Sequence, residues 1–399
     1  MSDTAKARAE QTARASYGKL LARIASRTGD IMAAEDALSE AFAEGLKTWP
    51  ERGVPDRPEA WLTTVARNRL IDAQRRGKRM VVTDEVPEMP TLTSDEDEIP
   101  DERLRLLFVC AHPAIDRALH TPLMLQTVLG LEADAIGRVF LISPSAMAQQ
   151  LVRAMHKTGD AGIHFSLPAR SDMAGRLTAV LEAIYGAFST DWIDGASDFS
   201  AEAIYLAQMT AALADEAEAQ GLCALLLFIQ ARRDARLADG VLVPLDEQDM
   251  ALWDQAMTAQ AEALLRQASA KSTIGRFQIE AAIQSVHAAR ARSGQTDWRA
   301  LSQLYAGLNC LYPTIGSAVS QAAAVGRDAG PGAGLDMLAK IDPAAITTYQ
   351  AAWAVRADLL RRASRLSEAR EAYAKAISLC TDAPLRRWLE ARAAALPLH

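Results

Sequence analysis

Apolar side chains recur every three to four residues along most of the chain, in segments bounded by glycine, proline and capping residues, and this predicts an all-α protein. A first helix is expected over about Ala13 to Thr28, with Leu20, Leu21 and Ile24 inward and Tyr17 one turn earlier. Gly29-Asp30 ends it. The next, Ile31 to Trp49, sets Leu38, Phe42 and Leu46 at four-residue spacing for a core and leaves Glu35, Asp36 and Glu40 on other faces, where charged helix positions are ordinarily solvated. A proline-marked loop, Pro50 to Pro58, leads to a helix over Glu59 to Arg76. Its inward side is Trp61, Leu62, Val65, Leu70 and Ile71, and its outward side holds Arg67, Asn68, Arg69, Arg75 and Arg76, continued by Lys78 and Arg79. An aromatic anchor on a basic helix suits a nucleic-acid backbone, although a solvated cationic face has the same pattern.

Farther on, Leu131 to Lys157 reads as a short helix, a tight turn and a second helix. Glu132-Ala133-Asp134 makes an acidic first turn and Ile136, Val139 and Phe140 an inward face. Ser143 is an N-cap, and Pro144 takes the first helical position, where its missing N–H costs nothing. Met147, Leu151 and Met155 form an apolar stripe on the second helix. Ser145, Gln149, Gln150, Arg153 and Lys157 remain outward, with short polar side chains near the N-terminus and cations behind them. This is the layout of a helix-turn-helix whose recognition helix reads base edges and phosphates. Such helix pairs are common in helical proteins, so the pattern needs support from elsewhere in the chain.

Beyond Pro168 the helical period continues. Met173 to Ala187 places Leu177, Val180, Leu181 and Ile184 inward, Phe199 to Leu213 follows, and Gly221 to Ile229 is apolar enough to be buried all round. Next, Arg232, Arg233, Asp234, Arg236, Asp239, Asp246, Glu247, Asp249 and Asp254 crowd around a Gly240 turn. With no histidine among them, a salt-bridged loop between helices is expected in place of a metal or enzymatic site. In the last third, Ala351 to Ser378 combines small residues at Ala352, Ala357, Ala369, Ala372 and Ala376 with Leu359, Leu360 and Tyr373. That is the tetratricopeptide distribution, in which small residues let antiparallel helices approach closely. Earlier pairs, Trp298 to Leu311 with Ile315 to Val325 and Phe277 to Ala291 with its predecessor, share helix lengths but little sequence.

Composition narrows the class. The chain has 399 residues, 50% of them hydrophobic, which suits roughly two to three domains. Cys110, Cys223, Cys310 and Cys380 stand far apart, so neither a zinc site nor a disulfide framework is indicated. No membrane-length apolar run and no signal segment is evident, and a cytoplasmic setting without membrane attachment or cofactor is expected. The net charge of −7 conceals a sharp asymmetry, because the 20 residues TDEVPEMPTLTSDEDEIPDE, 83–102, hold nine acids, no base and three prolines, the composition of a linker.

A basic unit with AEDALSEAF and WLTTVARNRLIDAQRR, an acidic linker, then LRLLFVCAHPAID and a helix-turn-helix ending LVRAMHKTGDAGIHF together resemble an extracytoplasmic-function sigma factor of the sigma-70 family. More narrowly the chain is similar to the subgroup with a long C-terminal extension of tetratricopeptide-like character. The resemblance implies four segments: 1–80, sigma region 2, binding core polymerase and the −10 element; 81–104, the acidic linker; 105–166, sigma region 4, binding the −35 element; and 167–399, a regulatory helical extension. It places Glu35, Asp36 and Glu40 against core RNA polymerase. Asp56 and Asn68 would catch a flipped −10 base, and Arg67, Arg69, Arg75 and Arg76 would hold the melted strand. Trp61 belongs to the same −10 set, although a tryptophan opening an amphipathic helix is more often core than stacking platform. Ser143, Ser145, Ala146, Gln149, Gln150, Arg153 and Lys157 become the −35 contacts.

The linker either mimics nucleic-acid charge in the polymerase channel or acts as a self-repelling spacer. Related recognition helices carry Lys and Arg where this chain has Ala148 and Gln150, so weak −35 binding is expected. The implied function is transcription initiation without enzymatic activity, with core polymerase and promoter DNA as partners, a protein or peptide as a further partner of the solenoid, and control in cis by the extension. A sigma-derived interaction scaffold that does not initiate, and an enzyme built on the Arg/Asp-rich segment, are the competing readings.

Overall fold

The computed structural model describes residues 16–78, 101–140, 142–163, 165–166, 168–194 and 199–397. Among them the chain is all-α apart from one two-residue hairpin, and it divides into two compact units, Met1–Ala214 and Asp215–His399. The acidic segment lies outside the described residues up to position 100. Its end does not: Asp101 caps a helix that starts at Glu102, so residues 102–104 are helix, not linker.

In the first unit, α1 (16–28), α2 (Ile31–Arg52) and α3 (Pro58–Lys78) form the expected basic bundle. Asp30 caps α2 by accepting from the Ala33 N–H at 3.0 Å. Pro50 does not stop α2, which runs on to Arg52 before Gly53 turns the chain. Leu38 is buried as expected, but Leu46 is not: it is 47% exposed, because Gly45 and Trp49 occupy the inner face of this turn. Trp49 meets Trp61 of α3 edge to face, with ring centroids 5.5 Å apart.

The chain resumes with α4 (Glu102–Cys110), α5 (Arg117–Thr127), α6 (Ala133–Phe140) and α7 (Pro144–Asp160). Every side chain from Arg103 to Cys110 except Arg105 is buried, so α4 has no solvent face and serves as the centre of the unit. Its cover includes α8 (Arg170–Asp194) and α9 (Phe199–Ala214). Leu177, Val180, Leu181 and Ile184 of α8 are buried as their spacing predicts, and Arg176 donates to the Phe108 carbonyl at 3.2 Å. The extension therefore does not begin as a separate body at residue 167. Its first two helices are integral to the first unit, and the division falls after Ala214.

The second unit opens with α10 (Ala217–Gln230), buried on all sides from Gly221 to Phe228. A hairpin of β1 (Leu237–Ala238) and β2 (Val241–Leu242), turned by Gly240, precedes α11 (Gln255–Ala270) and α12 (Arg276–Ser293). Glu218 of α10 caps α12 from outside its own sequence, accepting from the N–H groups of Phe277 and Gln278 at 3.0 and 3.1 Å. Helices α13 (Trp298–Leu311), α14 (Ile315–Asp328), α15 (Pro331–Leu338) and α16 (Pro343–Ile346) follow, then α17 (Gln350–Arg362), α18 (Leu366–Leu379) and α19 (Ala383–Ala394). In the α17–α18 hairpin, Ala352, Ala357, Leu359, Leu360, Ala369, Ala372, Tyr373 and Ala376 are all buried, as their small and large sizes anticipate.

The Arg/Asp-rich loop is a knot of structural contacts. Asp249 and Asp254 cap the following turns at the N–H groups of Ala251 and Met257. Asp246 pairs with Arg327 at 2.6 Å and Glu247 with Arg392. Arg290 donates to the carbonyls of Leu245, Asp246 and Gln248. Among the described residues no cluster of His, Cys, Asp and Glu could hold a metal ion.

Candidate polymerase and nucleic-acid interface

The outward face of α3 is built by its register. Burying Leu62 and Ala66 against α2 forces Arg67, Asn68 and Arg69 into solvent. Arg69 does not stand free, since it reaches Glu40 at 3.4 Å and Glu44 at 3.6 Å on α2. A candidate strand-holding cation is thus joined to a candidate polymerase contact by an exposed pair, a kind of interaction usually worth under about 1 kcal/mol and readily exchanged for a phosphate. Asp56 is exposed in the loop between α2 and α3. Trp61 is half-buried against Trp49, which gives it an anchoring role. Arg75 and Arg76 lie on α3, but their side chains fall outside the described residues.

The three acids of α2 separate. Asp36 and Glu40 are exposed, whereas Glu35 is half-buried and accepts from the Tyr17 hydroxyl at 3.3 Å. Burial pushes the Glu35 carboxyl above its usual range, and burial together with that carboxylate pushes the Tyr17 phenol up as well. Glu35 is therefore occupied inside the unit, which a solvated helix face did not anticipate.

On α7 the apolar stripe of Met147, Leu151 and Met155 is buried and the polar face is outward. Ser143 accepts from the Ala146 N–H at 3.4 Å as the N-cap. The preceding turn is tight, with the Ile142 N–H donating to the Gly137 carbonyl at 2.9 Å, and a Cβ on Gly137 would lie 2.7 Å from the Ile142 oxygen. Ser145, Gln149, Arg153 and Lys157 are exposed, Ala146 and Gln150 half-buried. The Arg153 Nε–H folds back to the Gln149 carbonyl at 3.2 Å, which fixes its stem along the helix while the rest of the side chain stays in water. Val152, 55% exposed between Leu151 and Arg153, adds an apolar element that the polar pattern did not single out.

Two further features were not legible beforehand. The α1–α2 bundle packs directly on the helices that follow the acidic segment: a Cβ on Gly18 would lie 1.8 Å from the Val128 carbonyl, and Met32 meets Gly159 on α7. The Phe165 N–H also donates to the Gly29 carbonyl at 3.4 Å. Arg103, buried in α4, is held by Asp101 at 2.5 Å and by Glu202 of α9, with its guanidinium 5.3 Å from the Tyr205 ring centroid. Burial alone would raise the Asp101 carboxyl, but the hydrogen bonds and charge of Arg103 outweigh it and hold that group below its usual value.

Comparison with known proteins places these helices. Residues 14–80 match sigma-70 region 2, and residues 176–269, covering α8 to α11, match a family of unknown function, DUF6596. No solved structure matches, and among the described residues no helix is long and apolar enough to cross a membrane. An uncharacterized protein of Rhizobium meliloti (strain 1021) is 37% identical over 367 residues, which span 88% of this chain and 86% of the relative. The chain belongs to the same family as that protein, and its residues 14–80 carry a sigma-70 region 2 module, which supports a sigma-70 type transcription factor.

Proposed function

We propose that the chain is an extracytoplasmic-function type initiation factor, in which the bundle α1 to α3 binds core RNA polymerase and the −10 element and α6–α7 acts as a helix-turn-helix on the −35 element. The observation that carries this reading is the sigma-70 region 2 match at 14–80 on a bundle whose α3 face presents Arg67 and Asn68 to solvent. Asp36 and Glu40 are the polymerase contacts, and Glu35 acts through Tyr17 on the bundle itself. Asp56 and Asn68 take the flipped base, while Arg67, Arg69, Arg75 and Arg76 follow the strand. On α7, Gln149 and Gln150 offer amides to base edges and Val152 a surface for a thymine methyl. Arg153 and Lys157 meet phosphates.

Control in cis by the extension is part of the same proposal. Helices α8 and α9 grip α4 through Arg103–Glu202 and Arg176, and α1–α2 rest on α5 and α7. Elements centred near −10 and −35 stand about 80 Å apart along a duplex at 3.4 Å per base pair, so the two DNA-binding modules must part to occupy both. The second unit, residues 215–399, biases that opening and carries the tetratricopeptide-like stack for a protein or peptide partner.

Run-off transcription with purified core polymerase tests the assignment, and promoter-dependent product is expected. The double variant Arg67→Ala, Arg153→Ala should cut promoter affinity, with the salt slope falling by about 0.9 per lost duplex contact, while stability stays within about 0.5 kcal/mol. A chain that binds core polymerase yet never supports initiation would instead establish the scaffold reading. Removing residues 215–399 tests control in cis, and unchanged transcription would sink it. Truncation at 169 is uninformative, because it strips α8 and α9 from α4.

A further inference from the structure

The second unit contains a half-buried arginine whose inward-turned guanidinium no carboxylate balances. Arg232, at the end of α10, turns its guanidinium inward, where its hydrogen-bond partner is the neutral Gln284 amide oxygen, and among the described residues no carboxylate reaches it. Burial depresses its guanidinium to about 10. Arg232 lines a small pocket, about 10 Å³ in enclosed volume, together with Phe228, Trp253, Thr258, Gln284 and Ala288. Its interior admits a particle about the size of one water.

Trp253 is 6% exposed, and its indole Nε1–H, a group that can only donate, has no acceptor among the described residues. The Thr258 hydroxyl is already spent on the Asp254 carbonyl at 2.8 Å. The surroundings add positive charge. Arg290 lies 5.4 Å from the Trp253 ring centroid with its own donors committed to three loop carbonyls. Beside it, burial and the charge of Arg232 drive the His287 imidazole down to about 4, against a partial opposing effect of Asp246. Asp246 is itself paired with Arg327.

A guanidinium without a counter-charge is costly, and a pocket lined by Arg232 and by an indole N–H with no acceptor calls for a ligand that only accepts. Water brings two protons of its own and no charge. We propose that this pocket is a binding site for a small monovalent anion of the size of chloride, held by Arg232 and the Trp253 indole N–H and locking α10 to α11 and α12. The inference is independent of the promoter reading, since it concerns the interior of the second unit alone.

Thermal unfolding of the full chain, titrated with sodium chloride or bromide against sodium methanesulfonate at constant ionic strength, tests it. The midpoint should rise saturably with either halide and not with acetate, which is too large for the space. Arg232→Met should abolish the dependence. Trp253→Phe keeps an aromatic ring without the N–H and should weaken the apparent halide affinity about tenfold to 150-fold, as for one lost hydrogen bond to a charged group. The proposal is overturned by a wild-type chain that shows no saturable halide effect, by an equal response to acetate, or by an Arg232→Met chain that responds like wild type. Should Arg232→Met fail to fold, the wild-type salt series and Trp253→Phe suffice to uphold or overturn the site.

Discussion

Arg103 in the first unit and Arg232 in the second are both withdrawn from water, and they are handled in opposite ways. Arg103 is closed between Asp101 and Glu202, which fasten α4 to α9. Arg232 has an amide, an indole edge and a void. The contrast separates two uses of one side chain. A desolvated cation with carboxylates on both sides is a staple, and one with donors for neighbours is a receptor.

The largest expected effect breaks the staple. Arg103→Met leaves the half-buried Asp101 and Glu202 without their cation, and urea unfolding should show a loss of up to about 3 kcal/mol from the first unit, the lower end for removing one partner of a buried ion pair. The matching change at Arg232, in methanesulfonate without halide, should leave the second unit unchanged or more stable, because it removes a charge that had no partner. Equal losses at both positions would erase the distinction.

Acid titration sharpens the same contrast. His287 is held neutral in the fold, with its pKa near 4 against an ordinary value of 6.5. The folded state therefore resists a proton that the unfolded chain accepts, so the second unit keeps full stability above pH 6.5 and loses it as pH falls toward 4. The loss is on the order of 3 kcal/mol. Asp101 is also depressed, but its contribution is retained down to the ordinary carboxylate range and disappears only below it. Denaturation followed at pH 7, 5 and 3.5 should show the second unit weakening first. His287→Gln should flatten its response, and Arg103→Met should remove the Asp101 contribution to the later loss in the first unit.

A further effect involves no charge. Gly18→Ala sets a methyl against the Val128 carbonyl, and overpacking of this kind costs about 1–3 kcal/mol. Its strain falls on the contact between α1 and the end of α5. Under control by closure, run-off transcription should increase even as the unit loses stability, and lower transcription would separate that contact from regulation.

Much of the helical layout could be read from periodicity. The stripe Met147, Leu151, Met155 and the small residues of α17 and α18 lie where spacing puts them, because each helix buries a single face whose partners are nearby. The outward placement of Arg67, Asn68 and Arg153 followed from the same logic. What escaped depends on distant neighbours. Helix α4 is buried on nearly every side because α8 and α9, some sixty residues later, help to cover it, and no local period marks that. Leu46 and Gly45 exchange roles because Trp49 needs the inner volume. Glu35 looked solvated until Tyr17, on another helix, closed over it. The Arg/Asp loop was legible as a salt-bridged knot, but Arg232 looked like one more member of it. Only its surroundings reveal that its counter-charge is missing.

The dependence of α4 on its late-arriving cover also sets a schedule for biosynthesis. Cys110 leaves the ribosome about 100 residues before Ala214 completes α9, and at 5–20 residues per second this interval is on the order of 5–20 s. Throughout that interval the apolar residues Leu104 and Leu106 to Cys110 lack part of their shelter. The nascent first unit then exposes apolar surface, and it cannot reach its finished form until translation has passed Ala214.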